Sequence, residues 1–310
     1  MTVAFHKPRD AAEALALLSG VDEAPGADDA DRAKGADGKG AGGIKSARRL
    51  PLAGGTQLNS SESRNLAVEA VALDGLVPKS VERQGSATII GAMTTFQELI
   101  DSPMVPPILA AAARGMVDRN IRNRATVGGN LGADKSCSSL IPVLLALDVD
   151  LLLLDGRRVR LEDWLELPSE PKGRGIISKI SMGGREGWLS GYARWSRVSA
   201  DLSVLGAAAA YRLERNTVRD LRLVLGGVAA HARRFPALEA AFEGLPLPDR
   251  SAIEALVVGH DGSGASYFST IDDARGSAAF KSFRMAVLIA DAILFAKPDE
   301  AGSLPTEEGA

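Results

Sequence analysis

Two glycine pairs constrain this chain more than any other feature. The first lies within residues 50–59, LPLAGGTQLN, and the second within residues 120–148, NIRNRATVGGNLGADKSCSSLIPVLLALD. In the first, Gly54 and Gly55 follow an apolar run and lead into Thr56, Gln57 and Leu58. In the second, Gly128 and Gly129 stand between the β-branched pair Thr126-Val127 and the polar Asn130, with the apolar run Leu140 to Leu147 beyond. A strand feeding a glycine pair lets backbone N–H groups converge on an anion, because no Cβ blocks the approach. One such pair is an ordinary turn. Two, flanked alike, predict two walls around one phosphate-rich ligand. The amides of Gly54, Gly55 and Thr56, with the Thr56 hydroxyl, are expected to serve one phosphate. The amides of Gly128 and Gly129, with the Asn130 side chain, are expected to serve the other. Arg119, Arg122 and Arg124, just upstream, either face a pyrophosphate or are solvated.

The totals exclude several classes. At 310 residues the chain is long enough for two domains or three. A net charge of −3 implies no general attraction to nucleic acid or to an anionic membrane. The longest apolar runs fall far short of the ~20 residues that span a bilayer. The opening MTVAFHKPRDAAEALALL lacks the apolar core of a signal peptide, so a cytoplasmic location is expected. The single cysteine, Cys137, makes no intramolecular disulfide and holds no iron–sulfur cluster alone; it reads as a packed or loop thiol. His6, His231 and His260 are scattered, without zinc-ligand spacing. Redox chemistry would therefore need an organic cofactor, with metal centres on another chain. There is no nucleophile elbow, no Walker-type phosphate loop, and no G-x-G-x-x-G in the strand–turn–helix setting of a Rossmann site.

Along the chain, residues 3–6, 50–53, 66–74 and 87–92 read as strands. Residues 149–154 form a continuous apolar run suited to a strand buried on both faces, with 157–160 as its hairpin return. Asp10 is placed to cap the helix AAEALALLS, with Glu13 three residues on. Thr95 is placed to cap FQELID. ILAAAARGM and residues 162–167 read as helices, and 168–175 as a loop. Residues 22–43, dominated by Gly, Ala, Asp and Lys, are expected to form a mobile surface loop, or else a lid or docking arm. A composition shift near Gly183 marks a second unit. It holds a strand at 188–195, a strand pair at 203–213 and 217–225 around the turn 214–216, helices at 236–243 and 250–258, and an amphipathic helix at 280–296. Asp272, Asp273 and Arg275 read as a structural salt bridge at the entry to that helix. The expected division is 1–182, subdivided near residue 60, then 183–298, then a disordered tail at 299–310.

At the two glycine loops the chain resembles a known family. LPLAGGTQL resembles the first FAD-binding loop, and IRNRATVGGN the second, of the FAD-binding subunits of molybdenum hydroxylases. That family includes the flavoprotein subunits of carbon monoxide dehydrogenase and the xanthine dehydrogenases. FHKPRDAAEALALL, IGAMTTFQEL, IPVLLALD and DDARGSAAFKSFRMAVL fit as well, so the resemblance covers nearly the whole chain. It implies an α+β fold: a two-lobed FAD-binding domain of the vanillyl-alcohol-oxidase (PCMH) type, followed by a smaller α/β C-terminal domain. Carried over by motif, Leu52, Ala53, Gly54, Gly55, Thr56, Gln57 and Leu58, with Thr126, Val127, Gly128, Gly129 and Asn130, would hold the diphosphate and ribityl region of FAD. The family's Asp eight or nine residues past GGN falls at Ser139, a hydroxyl in place of a carboxylate. Ile177 and the Ala193-Arg194 segment match weaker positions near the flavin.

The implied activity is that of an FAD-dependent oxidoreductase subunit in an electron relay. Electrons would come from iron–sulfur clusters of a partner subunit, fed by a molybdopterin-containing large subunit, and leave to NAD or another acceptor. No side chain here need act as acid or base. Two other readings remain: a structural subunit with an emptied flavin site, suggested by Ser139, and a stand-alone flavin reductase like those acting on enolpyruvyl sugars. Against the latter stand the lack of an obvious catalytic acid and the match at the C-terminus.

Overall fold

The structure is a computed structural model that describes residues 2–20, 48–60, 68–116, 118–168, 171–198, 201–259, 267 and 269–299. The loop expected at 22–43 and the tail beyond 299 lie outside the described residues.

Three parallel strands open the fold: β1 (Thr2–His6), β2 (Arg48–Leu52) and β3 (Val68–Ala72), in the order β1-β3-β2. Helix α1 (Ala11–Ser19) packs on β2 and β3. It starts where expected, the Asp10 carboxylate accepting from the Glu13 amide at 2.8 Å, and stops at Gly20, whose φ of 66° places it in the left-handed region.

An antiparallel sheet follows, in the order β4-β5-β8-β6-β7. Its strands are β4 (Val81–Gln84), β5 (Ala87–Gly91), β6 (Asp150–Leu153), β7 (Arg158–Arg160) and β8 (Ile177–Met182). Between β5 and β6 the described residues make five helices: α2 (Phe96–Asp101), α3 (Pro107–Arg114), α4 (Arg119–Arg122), α5 (Val127–Ala133) and α6 (Leu140–Ala146). Every residue of α6 is buried, which is where the apolar run 140–147 goes. Helices α7 (Leu161–Glu166) and α8 (Pro171–Arg174) lie between β7 and β8, so the loop expected at 168–175 contains a helical turn. The strand at 150–153 is not buried on both faces as expected. Leu151 and Leu153 are in the core, whereas Leu152 is exposed, because an antiparallel sheet with helices on one side leaves its other face to solvent.

The second unit is a sheet in the order β12-β11-β10-β9-β13, antiparallel throughout. Its strands are β9 (Trp188–Trp195), β10 (Leu205–Glu214), β11 (Thr217–Gly226), β12 (Arg233–Arg234) and β13 (Lys297–Pro298). Arg215 and Asn216 turn β10 into β11 with φ of 50° and 66°, the left-handed pair that a tight hairpin requires. Helices α9 (Pro236–Phe242), α10 (Arg250–Val258) and α11 (Ala278–Leu294) complete the unit. The alanine run of β10 has high helix propensity but lies between two layers. Ala207 and Ala209 enter the core shared with α9, α10 and α11, while Ala208 and Ala210 enter the core of the first unit. Small side chains let layers approach on both sides, and tertiary packing overrides propensity. Asp299, expected in a disordered tail, is buried. Its carboxylate accepts from Arg185 Nε at 2.9 Å and from the Ser190 hydroxyl.

The start of α2 sets the position of the second glycine pair. Thr95 Oγ1 accepts from the Glu98 amide at 3.3 Å, and the Glu98 carboxylate accepts from the Thr95 amide at 2.9 Å, a full capping box. Thr95→Ala is expected to lower stability by about 1 kcal/mol. A denaturant midpoint that does not move would show that the cap contributes nothing.

Candidate functional site

The first loop leaves β2 at Leu52, whose carbonyl accepts from the Leu73 amide at 3.0 Å. Gly54 then passes directly beneath the second loop. An ideal Cβ on Gly54 would stand 1.7 Å from the Arg124 carbonyl oxygen, so only glycine fits there. Gly55 has a different reason, a φ of 75°. The Asn59 amide donates to the Gly55 carbonyl at 3.0 Å and closes the turn. Among the described residues no partner is found for the amides of Gly54, Gly55, Thr56 and Leu58. The described residues leave these four amides unengaged.

The second loop differs from expectation. Thr126 and Val127 do not end a strand; Thr126 is the N-cap of α5, and the glycine pair lies in that helix's first turn. Its amides are already committed. Val127 donates to the Thr94 carbonyl at 3.0 Å, Gly128 to the Ala92 carbonyl at 2.8 Å, and Asn130 to the Thr126 carbonyl at 2.9 Å. The Gly129 amide donates to Thr126 Oγ1 at 3.0 Å. The expected phosphate donors at Gly128 and Gly129 are thus consumed by the fold. What the pair supplies is closeness: a Cβ on Gly128 would meet the Ala92 Cβ at 2.8 Å, and one on Gly129 would meet Thr126 Oγ1 at 2.8 Å. The Asn130 side chain is also engaged, accepting from the Ser138 hydroxyl at 2.6 Å. The upstream Arg119, Arg122 and Arg124 do not line the cleft between the two loops. Arg124 Nε donates to the Gly54 carbonyl at 3.2 Å, and Arg122 donates to Gln97 and to the Met116 carbonyl.

Both loops border one cleft with a cavity volume of about 240 Å³. Ala53, Gly54, Gly55, Thr56, Gln57 and Leu58 form one wall, and Thr126, Gly128 and Gly129, with Gly132 and Ala133, another. Leu73, Val77, Met93 and Trp164 add apolar surface, and Gly175, Ile176 and Ile177 close a further side. No charged side chain lines it among the described residues. Leu52 and Val127 are not in the lining; Val127 is fully buried in the core. Neither are Asn130 and Ser139. Ser139 begins α6, and its hydroxyl is buried with no partner among the described residues. Arg194 also lies elsewhere, donating to the Gly115 and Asp201 carbonyls. Sequence reasoning missed Trp164, Gly132 and Gly175, which carry no local signature and reach the cleft only through tertiary packing.

The family model described as FAD binding domain in molybdopterin dehydrogenase matches residues 44–182, and the one described as CO dehydrogenase flavoprotein C-terminal domain matches residues 190–296. The chain is 33% identical over 253 residues to the uncharacterized protein YgfM of Escherichia coli (strain K12), covering 81% of this chain and 88% of that one. The chain belongs to the FAD-binding subunit family of the molybdenum hydroxylases. It is 30% identical to the nicotine 6-hydroxylase medium subunit of Paenarthrobacter nicotinovorans, over 74% of this chain and 83% of that one. Its fold matches a chain of the carbon monoxide dehydrogenase from Hydrogenophaga pseudoflava with a TM-score of 0.76 at 24% identity, over 95% and 96% of the two chains. Members of this family are oxidoreductase subunits, and FAD is the cofactor of the first domain.

The residues present fit that cofactor. A dinucleotide needs donors that approach closely without bulk, and the amides of Gly54, Gly55, Thr56 and Leu58, unengaged among the described residues beside a glycine-lined helix, meet that need. Among the described residues, backbone dipoles rather than lysine or arginine side chains border the cleft. No helix among the described residues is long and apolar enough to cross a membrane. No group of three or more His, Cys, Asp or Glu among them is placed to hold a metal ion.

Proposed function

We propose that this chain holds FAD in the cleft between the 53–58 loop and helix α5, and relays electrons through it from iron–sulfur clusters of a partner subunit to NAD or another acceptor. The assembly would include a molybdopterin-containing large subunit. Bound FAD supplies the redox chemistry; the chain supplies binding, orientation and exclusion of water. The amides of Gly54, Gly55, Thr56 and Leu58 would receive the diphosphate, and Gly128, Gly129 and Gly132 would leave room for it. Leu73, Met93, Trp164 and Ile177 would pack against apolar parts of the ligand. Ser139 would act at a distance, through α6, and not by contact. We place the boundary between the FAD-binding and C-terminal units at residues 182 and 183, with a subdivision near residue 60. The observation that carries this reading is the convergence of both glycine loops on one cleft.

The test is direct. The purified full-length chain, titrated with FAD, is expected to turn yellow and to lose part of its tryptophan emission. Trp164 lines the cleft, so Trp164→Phe should remove most of that quenching. A chain that stays colourless in excess FAD would leave a scaffold with an emptied site as the better account. Co-purification of an iron–sulfur chain and a large molybdenum chain is expected from the relay, and not from a stand-alone flavin reductase.

A further inference from the structure

One wall of the cleft is fixed by a buried ion pair that the proposed function does not itself use. Asp134 ends α5 as its C-cap, in the left-handed region with φ of 42°. Asp134 Oδ2 accepts from Arg174 Nη1 at 2.7 Å and lies 2.8 Å from His231 Nδ1. The Asp134 and Arg174 side chains are 6% and 7% exposed, so this pair is sealed from water. Arg174 is held from every side. Its Nε donates to the Leu167 carbonyl at 2.9 Å, its Nη2 donates to the Leu165 carbonyl at 2.6 Å, and its guanidinium sits 4.8 Å from the centre of the Trp164 ring. Trp164 Nε1 in turn donates to the Arg174 carbonyl at 2.7 Å.

The pair has cleft-lining residues on both sides. Gly132 and Ala133 precede Asp134 on the glycine helix, while Gly175, Ile176 and Ile177 follow Arg174, with Trp164 beneath it. A buried ion pair adds little stability over apolar packing of the same volume; where it serves a purpose, it specifies one arrangement of its neighbours. We infer that Asp134 and Arg174 are a positioning pair that sets the separation of helix α5 from the Trp164 and Gly175–Ile177 wall, and so tunes how FAD is held. His231, from the stretch after β11, ties this pair to the C-terminal unit. The inference rests on the FAD reading of the cleft.

The experiment measures the FAD Kd, the visible spectrum and the midpoint potential of bound flavin in the full-length chain. Asp134→Asn keeps the shape and removes the charge. It is expected to weaken FAD binding on the order of tenfold and to shift the potential. Asp134→Glu, which restores the carboxylate one methylene further out, is expected to recover part of both. A purely structural pair would lower thermal stability and leave Kd, spectrum and potential unchanged; that result overturns the inference. Should the asparagine variant not fold, the glutamate variant decides alone: a changed Kd or potential supports the pair, and unchanged values overturn it. A wild-type chain that takes up no FAD ends the FAD reading itself, whereas a wild-type chain that binds FAD beside unaffected variants ends only the positioning pair.

Discussion

Gly54→Ala is expected to abolish FAD uptake, with the Kd rising a hundredfold or more, equivalent to about 2.7 kcal/mol. The reason is a single contact. The added methyl would stand 1.7 Å from the Arg124 carbonyl oxygen and 2.6 Å from its carbon, both backbone atoms, so no rotamer change relieves it. The loops must part, and Arg124 Nε loses the Gly54 carbonyl to which it now donates. Since these loops form two walls of one cleft, moving them apart removes the geometry a diphosphate needs. Two neighbouring glycines separate this from a general effect. At Gly55 the cost is conformational, a φ of 75°, and the alanine penalty is about 1 kcal/mol. At Gly132 an added Cβ meets no protein atom within 4 Å, so Gly132→Ala is expected to leave the ligand-free fold intact. Flavin titration of the three variants, with thermal melts of the ligand-free proteins, tests the ranking. Equal FAD affinity in Gly54→Ala and wild type would remove the close-approach argument.

The sequence made the cleft legible and hid how it works. Both glycine loops could be singled out because glycine is conspicuous where the chain must approach closely. Caps were legible for a similar reason: Asp10, Thr95 and the Arg215-Asn216 turn act on amides or torsions only a few residues away. What failed depends on distant partners. VGGNLGA has poor helix propensity, yet it is helical because Thr126 caps it and the carbonyls of Ala92 and Thr94 take its first amides. Strand β4 is largely exposed and polar, without the alternation that marks a half-buried strand. Asp134 and Arg174 are 40 residues apart, and neither carries a motif. Analogy of position makes Ser139 a contact; the structure places it at the start of α6, outside the cleft lining.

Asp273→Ala is expected to cost about 3–5 kcal/mol, because it strands a charge. Lys281 lies on α11 with no exposed side-chain surface, and its Nζ is 2.7 Å from Asp273 Oδ2, its only carboxylate partner among the described residues. The sequence pointed to a salt bridge at this helix entry with Arg275 as the cation. The structure assigns that part to Lys281, while Arg275 offers only its amide, which donates to Asp273 Oδ1 at 2.8 Å. Removing the carboxylate leaves an ammonium in the core with no other carboxylate among the described residues to offset its lost hydration. Lys281→Met alone should cost much less, since the partly exposed Asp273 keeps the amides of Arg275 and Gly276. The double variant should therefore be more stable than Asp273→Ala. The pH dependence follows from the same contacts. Burial alone would raise the Asp273 carboxyl, but the Lys281 ammonium and the two amides outweigh it and hold it below its ordinary value. A depressed folded-state pKa gives stability that is fully present above the unfolded value, near 4, and is lost as pH falls through the folded one. The difference in unfolding free energy between wild type and Lys281→Met should accordingly be full at neutral pH and shrink in strong acid. Denaturant unfolding at both pH values, with the double variant included, measures every arm of the cycle. If the double variant is no more stable than Asp273→Ala, the stranded ammonium is not the source of the loss.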